Sequence, residues 1–211
     1  MGQAALPNAA LTIGPVNGGC LGLNQRSLGV SVSLRPTLFI FAGPTGSGKT
    51  GLRARLEKDG ISFDRHIDAG DISQSIDDSP LTAVARAGIV AQELRRRCLK
   101  LGADFSIETD LSEEDDLTLM REAKDKGFEL ALYFVALSDP SLNRARLTER
   151  AEATGTPVPT ARIYTSYWRI MDHLSDAALI VDRTYVFDNS DETDPHRLTA
   201  KCEDDTITLF A

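Results

Sequence analysis

The sequence predicts an α/β fold in which a parallel sheet of about five strands carries helices on both faces. The first observation is an apolar run, TLFIFAG at 37–43, which is followed directly by a helical pattern. The second is that short strand-like and helix-like segments alternate along the rest of the chain with brief connections. Such alternation is typical of a parallel sheet, because crossover helices return the chain to the same end of the sheet.

The first half of the chain supplies two predicted strands and two predicted helices. The run 37–43 is predicted as a buried strand, and Leu52 and Leu56 then lie at helical spacing before Gly60, a C-terminal cap. DRHIDAGD at 64–71 is a weaker strand-like segment. The segment 81–101 predicts a long amphipathic helix that Gly102 closes.

The second half continues the alternation. DFSIETD at 104–110 predicts a strand, and Ser112 is expected to cap a helix that ends at Gly127. The most apolar strand is predicted at 128–137, and SDP at 138–140 begins the next helix. GTPVP at 155–159 interrupts the pattern before a helix that Thr160 caps, and a last core strand is predicted at 184–190. The alternating tail, 204–211, predicts an edge strand or hairpin.

Composition limits the classes of function. The 211 residues carry a formal net charge of −8, which argues against nucleic acid as a partner. Three widely separated cysteines give neither a disulfide framework nor a zinc-ligand spacing, which agrees with a cytoplasmic location. No apolar run is long enough to span a membrane, so no membrane association is expected.

One contiguous motif carries most of the chemical information. GPTGSGKT at 43–50 fits G-x-x-x-x-G-K-[ST], and it lies between a predicted strand and a predicted helix, as a phosphate-binding loop (P-loop) must. Glycines let the backbone N–H groups turn inward around phosphates, Lys49 reaches the β- and γ-phosphates, and the Thr50 hydroxyl ligates Mg²⁺. The predicted nucleotide-binding residues are Gly43, Pro44, Thr45, Gly46, Ser47, Gly48, Lys49 and Thr50.

The motif also refines the fold and the domain organisation. It predicts a P-loop NTPase three-layer sandwich, in which ligands bind at the carboxyl ends of the strands. We expect residues 1–35 to form a flexible leader and 36–211 a single domain. No N-K-x-D guanine motif is found in the sequence, and the chain is short for a helicase, so a kinase that uses ATP on a small molecule is favoured.

Several segments resemble the zeta toxin family of P-loop kinases over about residues 37–191. They are FIFAGPTGSGKT, HIDAGDI, FSIETDLS, AKDKGFELALYFVALSDPSLNRARLTER and VFDNS, in the family's order. The resemblance implies a fold similar to adenylate kinase and chloramphenicol phosphotransferase. It also implies ATP-dependent phosphorylation of a sugar hydroxyl, with UDP-N-acetylglucosamine as the acceptor in characterised members. An antitoxin protein that covers the ATP site is a further implied partner.

The resemblance also implies roles for two pairs of residues. Glu108 and Thr109 match the family's Glu-Thr pair, which contacts the acceptor. Arg146 and Arg150 match an Arg-x-x-x-Arg helix, where guanidinium groups suit the γ-phosphate. Two less specific interpretations stay open, a helix-capping turn for the first pair and a solvated helix face for the second.

The general base is the least certain assignment. Aligned without a gap, Asp68 matches the family's asparagine and Gly70 matches its catalytic aspartate. Asp71 is therefore predicted as the base and Asp68 as the group that holds the loop or the substrate, with the reverse assignment open. The family's lid histidine is replaced within TGT at 154–156, and this puts the identity of the acceptor in doubt.

Two other functions compete with a small-molecule kinase. An ATP-binding relative without activity, acting through a protein partner, would explain the altered base and lid. A nucleic-acid 5′-kinase would share the P-loop but conflicts with the acidic balance of the chain. Asp188 and Asn189 in VFDNS are expected near the ATP end of the site or in a structural turn.

Overall fold

The computed structural model describes residues 35–63, 65–154, 160–204 and 206–210. Most of the predicted leader and the segment 155–159 lie outside this range, as do the side chains of 140, 150–154 and 160–166.

Thirteen elements succeed one another in the described residues. The strands are β1 (Thr37–Ala42), β2 (His66–Ile67), β3 (Phe105–Thr109), β4 (Glu129–Ala136), β5 (Arg183–Asp188), β6 (Arg197–Glu203) and β7 (Thr206–Leu209). The helices are α1 (Lys49–Lys58), α2 (Ala69–Gln74), α3 (Pro80–Leu101), α4 (Glu114–Asp125), α5 (Pro140–Thr154) and α6 (Thr160–Ile180).

All seven strands form one sheet in the order β2-β3-β1-β4-β5-β6-β7. The first five strands in this order, β2, β3, β1, β4 and β5, pair in parallel, which confirms the predicted sheet. β6 and β7 extend it as an antiparallel hairpin at one edge. The hairpin's second strand, β7, lies in the tail where alternation predicted an edge strand or hairpin, whereas β6 was not predicted.

Two apolar clusters, one on each face, hold the helices to the sheet. Leu52 and Leu56 of α1 pack with Phe41 of β1 and Tyr133 of β4 in one cluster. Side chains of α3, α4 and α6 pack on the other face, around the fully buried Ile107 of β3. Burial of this kind stabilises a fold by about 25 cal/mol per Å² of apolar surface. The prediction of helices on both faces is thus confirmed.

Two local predictions differ from the structure. α4 begins at Glu114 with Glu113 in the cap position and no side-chain cap, because the Ser112 hydroxyl donates to Asp110 Oδ1 at 2.7 Å instead. The expected Ser112 cap is therefore wrong. The short helix α2 was not predicted, since its six residues are too few to show a helical pattern. Among the described helices, none has the length and apolarity needed to cross a membrane.

Candidate active site

The loop between β1 and α1 has the backbone geometry of a phosphate cradle. Gly43 and Gly48 adopt φ angles of 134° and 102°, in the region that favours glycine. A Cβ at Gly43 would lie 2.3 Å from the Val135 carbonyl oxygen, and one at Gly48 would lie 2.3 Å from Asn189 Nδ2. Neither position can hold a side chain. The loop leads directly into α1, whose N-terminus adds positive potential at the same place.

Lys49 lies over this loop and is only 6% exposed. Its Nζ donates to the carbonyl oxygens of Gly43 at 2.9 Å and Pro44 at 3.1 Å, and it lies 4.0 Å from Glu108 Oε1. The Ser47 hydroxyl is buried within the loop and has no hydrogen-bond partner within the described ranges. A buried ammonium, a glycine-rich loop at a helix N-terminus and an available hydroxyl fit a bound polyphosphate.

Glu108 connects the loop to β3. The Thr50 hydroxyl lies 3.2 Å and 3.0 Å from its two carboxylate oxygens. Burial raises the pKa of Glu108, and the nearby Lys49 ammonium opposes this shift. A hydroxyl and a carboxylate in contact are oxygen ligands that Mg²⁺ accepts, so these two side chains would hold that ion.

The register of β2 against β3 brings three ligand-type side chains together. His66 pairs with Ser106, and Ile67 pairs with Ile107. Asp68 directly follows Ile67, and Glu108 directly follows Ile107. Alternate residues of a strand share a face, which puts His66 and Asp68 on the same side as Glu108. One ring nitrogen of His66 and one carboxylate oxygen each from Asp68 and Glu108 lie within 4.8 Å of one another.

The two candidate bases occupy different positions. Asp68 is the N-cap of α2, where its Oδ1 accepts from the Gly70 N–H at 2.8 Å, and it is partly buried beside Glu108. Asp71 lies in the first turn of α2 and is exposed. The structure therefore brings Asp68 to the cluster around Glu108 and leaves Asp71 on the surface of α2.

The predicted residues beyond this cluster are placed as follows. Arg146 is partly buried, and its Nη2 donates to the Asn189 carbonyl oxygen at 2.9 Å. The side chain of Arg150 lies outside the described residues. The Thr109 hydroxyl donates to Asp116 and accepts from the Leu111 N–H, so its hydrogen-bonding capacity is directed into the turn that precedes α4.

Side chains of the segment between β5 and β6 contact the backbone of the phosphate loop. Asn189 is buried and its Nδ2 donates to the Ser47 carbonyl oxygen at 2.7 Å. His196 Nε2 lies 2.9 Å from the Gly48 carbonyl oxygen, and its backbone N–H donates to Asn189 Oδ1. Burial lowers the pKa of His196.

Sequence reasoning missed His66, His196 and Arg95. Arg95 Nη2 donates to the Glu108 carbonyl oxygen at 3.4 Å, and Arg95 Nη1 lies 3.7 Å from Asp116 Oδ1. Nothing in the run Arg95-Arg96-Arg97 distinguishes the residue that faces the site. His66 could have been found, because it precedes Asp68 by two residues in a predicted strand.

The glycine loop, its buried lysine and the central parallel strands define a P-loop fold of the kinase-like class. A match to the zeta toxin family extends over residues 24–198, and the chain belongs to that family. The resemblance seen in the sequence is thereby confirmed.

Three individual proteins illustrate what this chain is similar to, one in sequence and two in fold. An uncharacterized protein of Haemophilus influenzae is 29% identical over 116 residues, which cover 54% of this chain and 81% of that protein. A structure of the PezAT toxin–antitoxin system of Streptococcus pneumoniae superposes with a TM-score of 0.59 at 19% identity, over 80% of this chain and 72% of that one. The complex of AvrRxo1-ORF1 and AvrRxo1-ORF2 with ATP gives 0.63 at 16% identity, over 84% and 61%.

Proposed function

We propose that this protein transfers the γ-phosphoryl group of ATP to a hydroxyl of a small molecule, such as UDP-N-acetylglucosamine or another nucleotide sugar. One observation carries the proposal. The Lys49 ammonium lies 4.0 Å from Glu108, and Glu108 in turn contacts Thr50. The proposed phosphate-binding cation (Lys49), Mg²⁺ ligand (Thr50) and acceptor-side carboxylate (Glu108) are therefore neighbours. Membership of the zeta toxin family supports the same reaction.

Positioning and electrostatics supply most of the rate in this scheme. The loop amides and Lys49 bind the β- and γ-phosphates, and Arg146, with Arg150 of the same helix, neutralises charge on the transferred group. Mg²⁺, held through Thr50 and Glu108, supplies charge neutralisation when bound. Thr109 orients the acceptor indirectly, through the turn that it stabilises with Asp116.

We propose that Asp68, rather than Asp71, is the general base that takes the proton of the acceptor hydroxyl. Asp68 lies within the cluster at Glu108, and only its Oδ1 is occupied by the cap of α2. Asp71 is exposed and acts on the site at most through its charge. This reverses the order in which the sequence alone ranked the two aspartates.

The experiment is a phosphoryl-transfer assay with Mg-ATP and a panel of UDP-sugars and small hydroxyl compounds. The wild type is expected to phosphorylate at least one member. Lys49→Ala should lower that rate by about a hundredfold to a thousandfold, the usual cost of one transition-state donor. Lys58→Ala, at the exposed end of the same helix, is the matched control and should stay active. Equal rates for the wild type and Lys49→Ala would contradict the proposal.

Gly70 favours one second candidate, an ATP-binding relative that acts through a protein partner. Gly70 stands where the family carries its aspartate and offers no functional side chain. A toxin–antitoxin system among the similar structures gives an antitoxin as the kind of partner to test. ATP binding without transfer to any acceptor, unchanged in Asp68→Asn, would favour this alternative.

A further inference from the structure

We propose that His66, Asp68 and Glu108 form a binding site for a divalent transition-metal ion, with Mn²⁺ and Zn²⁺ as its best occupants. This site is separate from the nucleotide-bound Mg²⁺ at Thr50, although Glu108 borders both. The three ligand atoms lie within 4.8 Å of one another, and a shared ion at bonding distances of about 2.0–2.2 Å would draw them closer together.

The histidine is arranged as a metal ligand requires. Its Nδ1 lies 2.9 Å from the hydroxyl of Ser106, which is fully buried and fixed in β3. Its Nε2 is buried and has no hydrogen-bond partner in the described part of the chain. A ligating histidine usually donates its other ring N–H to such a second partner, which orients the ring and leaves one lone pair for the metal.

The two carboxylates provide the charge that such an ion needs. Asp68 directly follows β2 and Glu108 lies in the neighbouring parallel strand β3, and their negative charges repel each other. Lys49, 4.0 Å from Glu108, offsets part of this charge, so we expect the ion to bind more weakly than it would to the two carboxylates without Lys49. Imidazole suits Zn²⁺ and carboxylates suit Mn²⁺, whereas Mg²⁺ prefers oxygen ligands alone, so this ligand set favours Zn²⁺ and Mn²⁺ over Mg²⁺.

A consequence for catalysis rests on the proposed function. An ion at this position would lie beside the acceptor, and metal coordination lowers the pKa of a bound hydroxyl by several units. With the ion bound, Asp68 would act as its ligand, and the lowered pKa of the bound hydroxyl would take the place of the base that Asp68 supplies in the ion-free enzyme. Adding Mn²⁺ to a Mg-ATP assay is then expected to raise the rate of the wild type and not that of His66→Gln.

The direct test measures binding without nucleotide, so its outcome does not depend on kinase activity. Full-length protein is titrated with Mn²⁺, the free ion is followed by electron paramagnetic resonance, and Zn²⁺ is added as a competitor. We expect one Mn²⁺ site that Zn²⁺ displaces. His66→Gln and Asp68→Asn should each weaken it at least tenfold, and Ser106→Ala should weaken it by less than either.

Two controls make the result decisive. His173→Gln changes a partly buried histidine that contacts only the Leu111 carbonyl oxygen among its described hydrogen bonds, and it should bind Mn²⁺ like the wild type. Circular dichroism checks that each variant is folded. The proposal is overturned if the wild type binds neither ion without nucleotide, or if His66→Gln and Asp68→Asn both bind with wild-type affinity. Failure of phosphoryl transfer alone would leave this binding result standing.

Discussion

At the scale of single residues, the central contrast is between Asp68 and Asp71. Asp68 lies in the Glu108 cluster, whereas Asp71 is exposed on α2. Asp68→Asn should lower the turnover number at saturating ATP by about 10²–10⁴-fold, the usual contribution of a general base. Asp71→Asn should retain most of the activity. A larger loss in Asp71→Asn than in Asp68→Asn would reverse the assignment.

Individual site residues were predictable to different degrees. Lys49 and Thr50 could be predicted because the chemistry of the P-loop is local and its motif is contiguous. The contact between Thr50 and Glu108 spans 58 residues and depends on the pairing of β1 with β3. Strand pairing of this kind is a property of the whole sheet, so the sequence predicts only that Glu108 lies near the carboxyl ends of the strands.

At the scale of elements, the link between β5 and β6 is expected to hold the phosphate loop in shape. Asn189 makes a buried hydrogen bond to the Ser47 carbonyl oxygen. Asn189→Ala should lower the free energy of unfolding by about 1–3 kcal/mol, because it leaves that buried carbonyl unpaired. It should also raise the Kd for ATP.

Urea denaturation and calorimetric ATP titration measure these two effects. Thr193→Ala, an exposed change in the same segment that breaks only local contacts with Asp191, is the matched control. Unchanged stability and ATP affinity in Asn189→Ala would show that this segment does not support the loop.

The regular elements were easier to predict than their ends. α3 was predicted at 81–101 and observed at Pro80–Leu101, because a long amphipathic pattern closed by Gly102 leaves little choice. The cap of α4 was predicted wrongly, because Ser112 and Asp110 hydrogen-bond to each other rather than to the helix. β6 was missed although its sequence, RLTAKCE, alternates polar and apolar residues as a half-buried strand does.

At the scale of the whole molecule, two partly buried histidines contribute to the pH dependence of stability. Burial lowers the pKa of both His66 and His196 below the ordinary value of 6.5. The folded state then resists protonation, so their contribution to stability is complete above pH 6.5 and is lost as the pH falls towards the folded-state pKa. His196→Gln should therefore lose less stability than the wild type between pH 7.5 and pH 5.5.

The comparison must be made between variants, because acidic groups act in the opposite direction. Burial raises the pKa of Glu108 and of Asp116, so protonation of these carboxyls favours the folded state as the pH falls. Urea denaturation of the wild type and His196→Gln at both pH values cancels these shared contributions. Parallel changes in the two proteins would contradict the assignment of the effect to His196.

The fold as a whole was the most predictable level. Five parallel strands with helices on both faces follow from the alternation of apolar segments, and the P-loop fixes which end of the sheet carries the site. The strand order and β6 were not predicted, although the alternating tail predicted an edge strand or hairpin where β7 lies. The order depends on which edges of the sheet each segment can reach, and no local pattern in this sequence records that.

The central claim is that the site moves the γ-phosphoryl group of ATP onto a small-molecule hydroxyl. Its most direct test incubates the protein with a metabolite extract and Mg-ATP that carries heavy oxygen in its γ-phosphoryl group, followed by mass spectrometry. We predict at least one new phosphorylated metabolite that contains the label, formed by the wild type and absent with Lys49→Ala. No labelled product from the wild type, or the same products from both proteins, would contradict the account.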